Sequence, residues 1–585
     1  MKKAYLFFLI LQMAAFAMAQ GQAIDKKDAD TGVFDEIPKE NVFVHYNSGV
    51  LFSGETLYYK IYCINAERSA LSTLSKIAYI ELIAADNTFV FKHKIKLASG
   101  EGQADFFIPV DVPSGNYKLI GYTQWMKNEG VSSFFLGNVT IINPYGEDRK
   151  PIARTAQDSI PNKIAESLTR APKVLNNSIQ LSTNARTYTK REKVSLNLLS
   201  LDKSKGYGTY SVSVRKVNAF DTALLKTAEN FTVSPAENSD LKNEVIYLPE
   251  LRGELISGNV LSEETGRPIS NAPIAISIPG IAYVLSIVHT DENGSFFFNL
   301  DREYDGENGI LQLLKDNKEV KIQLDSSSNR YYSNLNFSPF QIDSKMKKLI
   351  AQRSVHNQIE NAYSEIKQDT LIATEATYPF FYTKNFDVFD LDDYTRFSGV
   401  RETFIEVIKY ASIRNLNGKA QFLVLPSDPQ LNSSFEPLVI VDGILLQDHT
   451  DIIAYGAKNI KRILVFRDTY FYGSKGYQGA LVFETLNGDY FQRMDKKDKY
   501  IAELFKPQPR KRYFQQEYDT NNDSELSHIP DYRYQLLWKP DIVLDIPKKN
   551  IEFFTSDITG EFEIRLEGFT NSGNPVSIRE IITVE

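Results

Sequence analysis

The chain is poor in the residues that most often carry chemistry. Its 585 residues include one Cys, two Trp, six Met and six His. A lone thiol cannot form an internal disulfide, so the fold must rest on its cores, which large domains can build. Cys63 lies in the alternating run Tyr58–Ile64 and reads as a buried core thiol rather than a nucleophile. The histidines His45, His93, His289, His356, His449 and His528 fall into no H-E-x-x-H, and no C-x-x-C exists, so no zinc motif is present. His449, beside Asp448 and Asp451, reads as a solvated loop residue and not as a ligand. Asp519-x-Asn521-x-Asp523 opens like a calcium loop, but Ser524 replaces the required Gly and Pro530 the closing Glu. Neither a G-x-S-x-G elbow nor a P-loop occurs. Catalytic, cofactor-binding and metal residues are therefore expected to be none, and the protein is not expected to be an enzyme. The net charge of −8 gives no pull towards nucleic acid or anionic lipid. No apolar stretch after the N-terminal one is long enough to span a bilayer.

What is present is β pattern. Met1-Lys2-Lys3, an apolar run from Ala4 to Met18 and Ala17-Met18-Ala19 make residues 1–19 an expected secretory signal peptide, cut after Ala19 and followed by a flexible lead-in over 20–40. No Cys stands at the cut to carry a lipid. Strand patterns at Val42–Tyr46, Leu57–Tyr62, Ile77–Ile83, Phe89–Lys96, Ala104–Ile108, Val112–Tyr122 and Phe135–Ile142 predict a β-sandwich over 41–145. Residues 146–177, rich in Pro, Arg, Asp and Ser, read as a linker. A second sandwich is expected over 178–247, where Tyr188–Leu198 repeats the turn-then-strand idea of Gly54–Tyr62. A third module over 251–325 shows Leu255–Leu261, a turn at Thr265–Ile269, Ala272–Ser277 and Thr290–Phe298. Over 341–370, Met346, Leu349, Ile350, Val355, Ile359, Ala362, Tyr363 and Ile366 follow helical spacing, with Lys345, Lys347 and Lys348 on a solvated face. Val400–Ala411 reads as another helix, with Val400, Phe404, Val407, Ile408 and Ala411 on one side. Residues 491–530 read as loop, and 531–585 as a C-terminal β unit completing a sandwich.

The most informative stretch lies within 380–490. Leu438–Val441, Ile460–Phe466 and Ala480–Phe483 read as strands; Asp442-Gly443 is a turn, and Gly473, Gly476 and Gly479 crowd the last connection. These residues, with Pro437, Val439, Asn459-Ile460, Arg462-Ile463, Arg467-Asp468, Tyr472 and Lys475, resemble the plug domain of TonB-dependent outer-membrane receptors of Bacteroidota. The candidate motif is Asp442, Gly443, Arg467, Asp468, Tyr472, Gly473, Gly476 and Gly479. The stretch after Thr485 lacks the repeated ten-residue alternation of a closed barrel, so a plug-like module without its own barrel is expected, not a transporter.

Other stretches carry weaker likenesses. Val42–Tyr46, the Ser53-Gly54-Glu55 turn and Pro113–Lys118 resemble a macroglobulin-like (MG2) domain. Gly258, Gly266, Pro268, Ala272, Asp291, Gly294 and Phe296 resemble the carboxypeptidase-regulatory-like Ig domain. Trp538–Asp541, Phe554–Asp557 and Gly560–Gly568 resemble a closing macroglobulin-like domain; the same end also has the rhythm of a type IX secretion signal, without its Lys-rich final strand. The thioester motif of protease-trapping macroglobulins does not surround Cys63, so covalent trapping is not implied.

The expected fold class is mainly β and multi-domain, with several Ig-like or macroglobulin-like β-sandwiches plus one small α+β plug-like domain. The resemblance implies an exported, periplasmic or outer-membrane-associated adaptor that binds an outer-membrane β-barrel protein or its assembly machinery. Two alternatives stay open: a glycan- or peptide-binding protein feeding an uptake receptor, for which Trp125 and Trp538 are the only tryptophan platforms, and an unrecognised hydrolase.

Overall fold

A computed structural model describes residues 23–25, 37–145, 178–202, 205–217, 225–231, 245–280, 282–314, 320–325, 332, 335–337, 346–373, 382, 386–416, 418–428, 435–472, 475–497, 499–518 and 528–585. The expected signal peptide, most of the lead-in and all of the 146–177 linker lie outside these residues. The fold is mainly β and multi-domain. Two compact units are present: residues 30–251, 329–372 and 507–585 form the first, and 252–328 and 373–506 belong to the second.

The first unit begins with eight strands: β1 (Glu40–Tyr46), β2 (Val50–Phe52), β3 (Thr56–Asn65), β4 (Ile77–Ile83), β5 (Phe89–Lys96), β6 (Glu101–Phe107), β7 (Gly115–Tyr122) and β8 (Phe135–Ile142). A three-stranded sheet, β1-β3-β6, faces a five-stranded one, β2-β8-β7-β4-β5. The thiol of Cys63 is buried between them. Four more strands follow: β9 (Ile179–Thr183), β10 (Thr187–Tyr188), β11 (Lys193–Ser200) and β12 (Gly208–Lys216).

The second unit opens with β13 (Glu254–Ser262), β14 (Pro273–Ile278), β15 (Val284–His289), β16 (Ser295–Leu300), β17 (Asn308–Leu313) and β18 (Val320–Leu324). Sheet β16-β13-β18 packs on a sheet built from β15, β14 and β17. The chain then passes through α1 (Lys347–Ala362), which belongs to the first unit. It returns as β19 (Phe386–Asp390), α2 (Val400–Glu406), β20 (Ala411–Leu416), β21 (Lys419–Val424), β22 (Leu438–Val441), β23 (Ile444–Leu446), α3 (Thr450–Ile453), β24 (Ile460–Tyr472), β25 (Lys475–Thr485) and β26 (Tyr500–Glu503). The mixed sheet β19-β24-β25-β22-β23 is antiparallel except where β22 runs parallel to β25, and α2, α3 and the β20–β21 hairpin cover one face.

Two readings of this region are corrected. The helix from Val400 stops at Glu406 rather than Ala411, because Tyr410 takes a left-handed φ of 64° that turns the chain into β20. The five apolar residues stay buried, the last at the start of a strand. The loop read over 491–530 contains β26, which pairs with β17 and completes the four-stranded sheet β15-β14-β17-β26. Four residues between Lys-rich turns carry too little alternation to declare a strand.

The chain re-enters the first unit with β27 (Gln535–Leu544), β28 (Lys548–Phe554), β29 (Gly560–Thr570) and β30 (Pro575–Val584). These strands and β9–β12 make one sandwich: β28 pairs with β11, and β12 lies between β29 and β27. Strands read as belonging to two separate stretches, 178–247 and 531–585, therefore share a single core. The two sandwiches of this unit pack together. All seven residues of β1 are buried. Val42 and Val44 sit over Gly121 in their own sandwich, whereas Phe43 packs on Phe569 at 5.8 Å and His45 on Trp538 at 5.1 Å.

The helix α1 reverses the pattern read from its sequence. Its buried residues are Arg353, Ser354 and Asn357, while Leu349 and Val355 are 44% and 53% exposed. The reason is a partner. Arg353 donates from Nε and Nη2 to the two oxygens of Glu55 at 2.7 Å each, and Asn361 Nδ2 donates to Gly54 O at 3.0 Å. The helix is seated by its polar side on the Ser53-Gly54-Glu55 turn.

Candidate functional site

Asp442 and Gly443 both have positive φ, 47° and 84°, and join β22 to β23 as a two-residue hairpin loop. The Asp442 carboxylate is fully engaged. Oδ1 accepts Thr485 N–H at 2.9 Å; Oδ2 accepts Thr485 Oγ1–H at 2.6 Å and Tyr490 N–H at 3.2 Å. A Cβ on Gly443 would lie 2.5 Å from that of Tyr283.

Arg467, Asp468 and Gly479 form one device. The β24–β25 register breaks between Phe466 and Thr469, so Arg467 and Asp468 stand opposite Gly479 alone, as a bulge. The bulge aims both side chains at one loop. Arg467 stacks 4.0 Å over the Tyr410 ring and donates to Pro426 O at 3.0 Å, while Asp468 accepts Ser427 Oγ–H at 2.5 Å. Gly479 has φ 75°, and a Cβ there would lie 2.5 Å from Phe466 O and 2.6 Å from Val424. Gly479→Ala is expected to cost this unit about 2 kcal/mol or more, since backbone cannot yield as a side-chain tip does. A thermal scan showing no shift would contradict that.

Tyr472 donates to Leu285 O at 2.6 Å. A Cβ on Gly476 would meet the Phe435 ring at 2.8 Å. Gly473 lies outside the described residues. The motif thus divides into a hairpin turn around Asp442, a bulge around Gly479 and a tether at Tyr472. Each side chain is committed to holding the sheet.

A cleft of about 560 Å³ borders this turn, lined by Asp442, Arg462, Glu484 and Tyr283 among others. Two of its charged groups are paired: Arg462 forks onto Glu484 at 2.7 and 2.9 Å. Tyr283 OH meets Tyr382 OH at 3.3 Å. His449 is not the solvated residue its acidic neighbours suggested. It is 4% exposed and its Nδ1 accepts Phe422 N–H at 3.2 Å, under the β20–β21 hairpin. Among the described residues no group of three His, Cys, Asp or Glu is placed to hold a metal.

Two charged networks in the first unit escaped the sequence reading. In the first, Glu55 takes Arg353 and also Arg215 Nη2, at 2.8 Å. Burial pushes its pKa up, but the two guanidiniums outweigh burial and hold it at about 2. In the second, His45 Nδ1 meets Ser211 Oγ at 2.6 Å and its Nε2 accepts Arg565 Nε–H at 3.3 Å. Burial and then Arg565 push its pKa well down, leaving a neutral ring. Glu567 accepts Ala228 N–H at 2.8 Å and Ser577 Oγ–H at 2.9 Å, and burial raises its pKa to about 7 against the pull of Arg565. A single Glu in a turn and a single His in a strand look like surface residues in sequence; their partners are 160 to 520 positions away.

The chain matches no protein-family model and no curated protein. It is similar to solved structures at low identity. The α2-macroglobulin of Salmonella, reacted with methylamine, is 9% identical over 93% of this chain and 39% of its own, with a TM-score of 0.22. The α2-macroglobulin of Escherichia coli activated by porcine elastase is 9% identical over 93% and 44%, with a TM-score of 0.23. The adhesin InvE of Yersinia pseudotuberculosis is 12% identical over 48% and 58%, with a TM-score of 0.13. The chain spans about two fifths of the length of the macroglobulins. At these scores the likeness carries no argument, and the mainly-β, multi-domain fold stands on the sheets described above.

Proposed function

We propose that the protein is a non-enzymatic adaptor of the bacterial cell envelope. In this reading residues 251–325 are a carboxypeptidase-regulatory-like Ig domain and 380–490 a plug-like domain, as in Bacteroidota proteins, and the two first-unit sandwiches are macroglobulin-like. The partner class is an outer-membrane β-barrel protein or its assembly machinery. One observation supports it most. The motif side chains are used up inside the sheet, and the sheet ends on a five-residue edge strand, β19, which pairs only with β24 among the described residues. Phe386 and Val388, on one side of that edge, are 36% and 47% exposed. An edge with unpaired backbone groups and exposed apolar side chains can accept a strand from another protein. No described helix is long and apolar enough to cross a membrane, which leaves strand-based partners unaddressed.

The full chain, used as bait on detergent-solubilised outer membranes, is expected to recover a β-barrel protein. Val388→Lys, which places charge on the edge, is expected to reduce that recovery at least several-fold without changing thermal stability, whereas Phe386→Lys also removes a ring contact with Phe466 and is expected to lower both. Bait recovered with no outer-membrane protein attached, or recovery by Val388→Lys equal to that of the wild type, would count against the adaptor reading.

A further inference from the structure

The cleft beside Asp442, of about 560 Å³, falls within the ~300–1,000 Å³ of sites for small organic ligands. A bulge supplies its charge. In β24, Ile460 pairs with Thr485 and Arg462 with Glu484, so Lys461 is an extra residue in the ladder. The bulge shifts the phase of the strand. Ile460, Ile463 and Val465 belong to the core under α2 and α3, whereas Leu464 and Phe466 belong to the core on the other face. Strict alternation would put Ile460 with Leu464 and Phe466. The extra residue removes that parity, and two consecutive side chains, Lys461 and Arg462, both line the cleft.

The two cations differ in what they hold. Arg462 spends its fork on Glu484, while Lys461 is exposed and makes no hydrogen bond or ion pair among the described residues. The three carboxylates of the lining already take donors. Glu484 holds Arg462, Asp442 takes Thr485 and the Tyr490 N–H, and Asp305 Oδ1 accepts Ala282 N–H at 3.3 Å. The loop after β25 adds donors of its own: Asn487 and Gly488 are exposed, and their N–H groups have no partner among the described residues. Apolar surface that solvent reaches comes from Leu486, 49% exposed, and half-buried Tyr382. The cleft thus offers a guest one ammonium, neutral donors and an apolar patch.

We propose that this cleft binds a monoanionic carboxylate carrying an apolar group, either a free small acid or the C-terminal residue of a peptide. The carboxylate takes Lys461 Nζ and the N–H groups of the Asn487-Gly488 loop, as charge-assisted hydrogen bonds. The apolar group lies on Leu486 and Tyr382. A dianion is disfavoured, because the Lys461 ammonium offsets one negative charge and a second meets three carboxylates in the same lining. A neutral ligand draws nothing from the ammonium, and a cation is repelled by it. The site does not rest on the adaptor reading, because no residue of β19 lines the cleft.

The test is calorimetric titration of the full chain with 3-phenylpropanoate and with acetyl-alanyl-phenylalanine, which ends in a free carboxylate. The neutral counterpart is 3-phenylpropanol and the dianion is phenyl phosphate. At least one of the two carboxylates is expected to bind, and the alcohol and the phosphate about tenfold more weakly or not at all. Tighter binding of phenylpropanoate assigns a free acid, and tighter binding of the dipeptide a chain terminus. Lys461→Met keeps the stem and removes the charge; it is expected to weaken binding about tenfold with unchanged thermal unfolding, and Lys461→Arg to retain it. Should Lys461→Met be unstable, Lys461→Gln decides in its place. Absence of binding by both carboxylates at millimolar concentration overturns the proposal. So does binding of the alcohol or the phosphate as tight as that of the carboxylate, or unchanged affinity in the uncharged variant.

Discussion

Glu55→Ala is expected to release α1 from the first unit. The substitution leaves Arg353 and Arg215 buried without their shared carboxylate, and breaking a buried pair in this way costs about 3–5 kcal/mol. The loss should be concentrated in α1, because Arg353 and Asn357 both reach Glu55 and Leu349 and Val355 are exposed, which leaves Met346 and Ile350 on the Val50, Phe52 and Ile142 cluster as its apolar contact. Hydrogen exchange of the 347–362 amides and tryptic cleavage there are the readouts, with exchange in β4 and β7 as the internal control. The double variant Glu55→Met/Arg353→Met removes both main charges and is expected to be more stable than Glu55→Ala alone, since no guanidinium is stranded on α1. The pH dependence follows from the depressed carboxyl. Its stabilising effect is complete above its ordinary value of 4.5 and is lost as pH falls towards about 2. Unchanged protection of α1 in Glu55→Ala would show that something other than the ion pair holds the helix.

The second large effect concerns the joint between the two sandwiches of the first unit. Folding raises the pKa of Glu567 from 4.5 to about 7 and lowers that of His45 below 6.5, in both cases chiefly through burial. The signs oppose each other. A raised carboxyl stabilises fully below 4.5 and loses that contribution as pH climbs to about 7. A lowered imidazole stabilises fully above 6.5 and loses its contribution as pH falls. Below pH 6.5 the proton gained on Glu567 and the one given up at His45 act in opposite directions, so in the wild type the two slopes oppose each other. Single variants expose them. In His45→Gln the Glu567 slope stands alone, and stability is expected to fall by about 3 kcal/mol from about pH 4.5 to above pH 7, because each tenfold change in proton affinity is worth about 1.4 kcal/mol. In Glu567→Gln the slope reverses, and stability rises with pH up to about 6.5, where the His45 contribution is complete. Arg565 faces both groups, and Glu229 adds a weaker repulsion to Glu567. Denaturant curves at three pH values for the wild type and both variants measure this. Parallel pH profiles for all three proteins would refute the proton exchange.

Much of the local structure was legible in the chain. Period-two alternation marked the strands of the first sandwich, and Asp442-Gly443 announced the hairpin because few residue pairs accept two positive φ values. Gly479 stood out as one of three glycines crowding the last connection, although nothing in the sequence tied it to Arg467 and Asp468, more than ten positions earlier, as one bulge. The helical spacing over 346–366 located α1 but named its buried face only in part: Met346 and Ile350 pack, whereas Leu349 and Val355 are exposed. Hydrophobic periodicity assumes that the apolar stripe is the buried one, and Glu55 overrode it by offering Arg353 a charge. His449 was misread for a related reason: flanking acidic residues say where the chain is polar, not whether Phe422 brings a backbone donor above the ring.

By itself the sequence determined where most of the strands run and which glycines the turns require, because these follow from neighbours within a few residues. Tertiary structure alone decided that β9–β12 complete their sandwich with β27–β30, and that β26 closes the four-stranded sheet of the second unit. It also decided that β1 is covered on both faces, and that Glu55, His45 and Glu567 are interior charges. Strand pairing and burial depend on what arrives from hundreds of residues away, and the free energy of a buried charge depends on the partner it meets there.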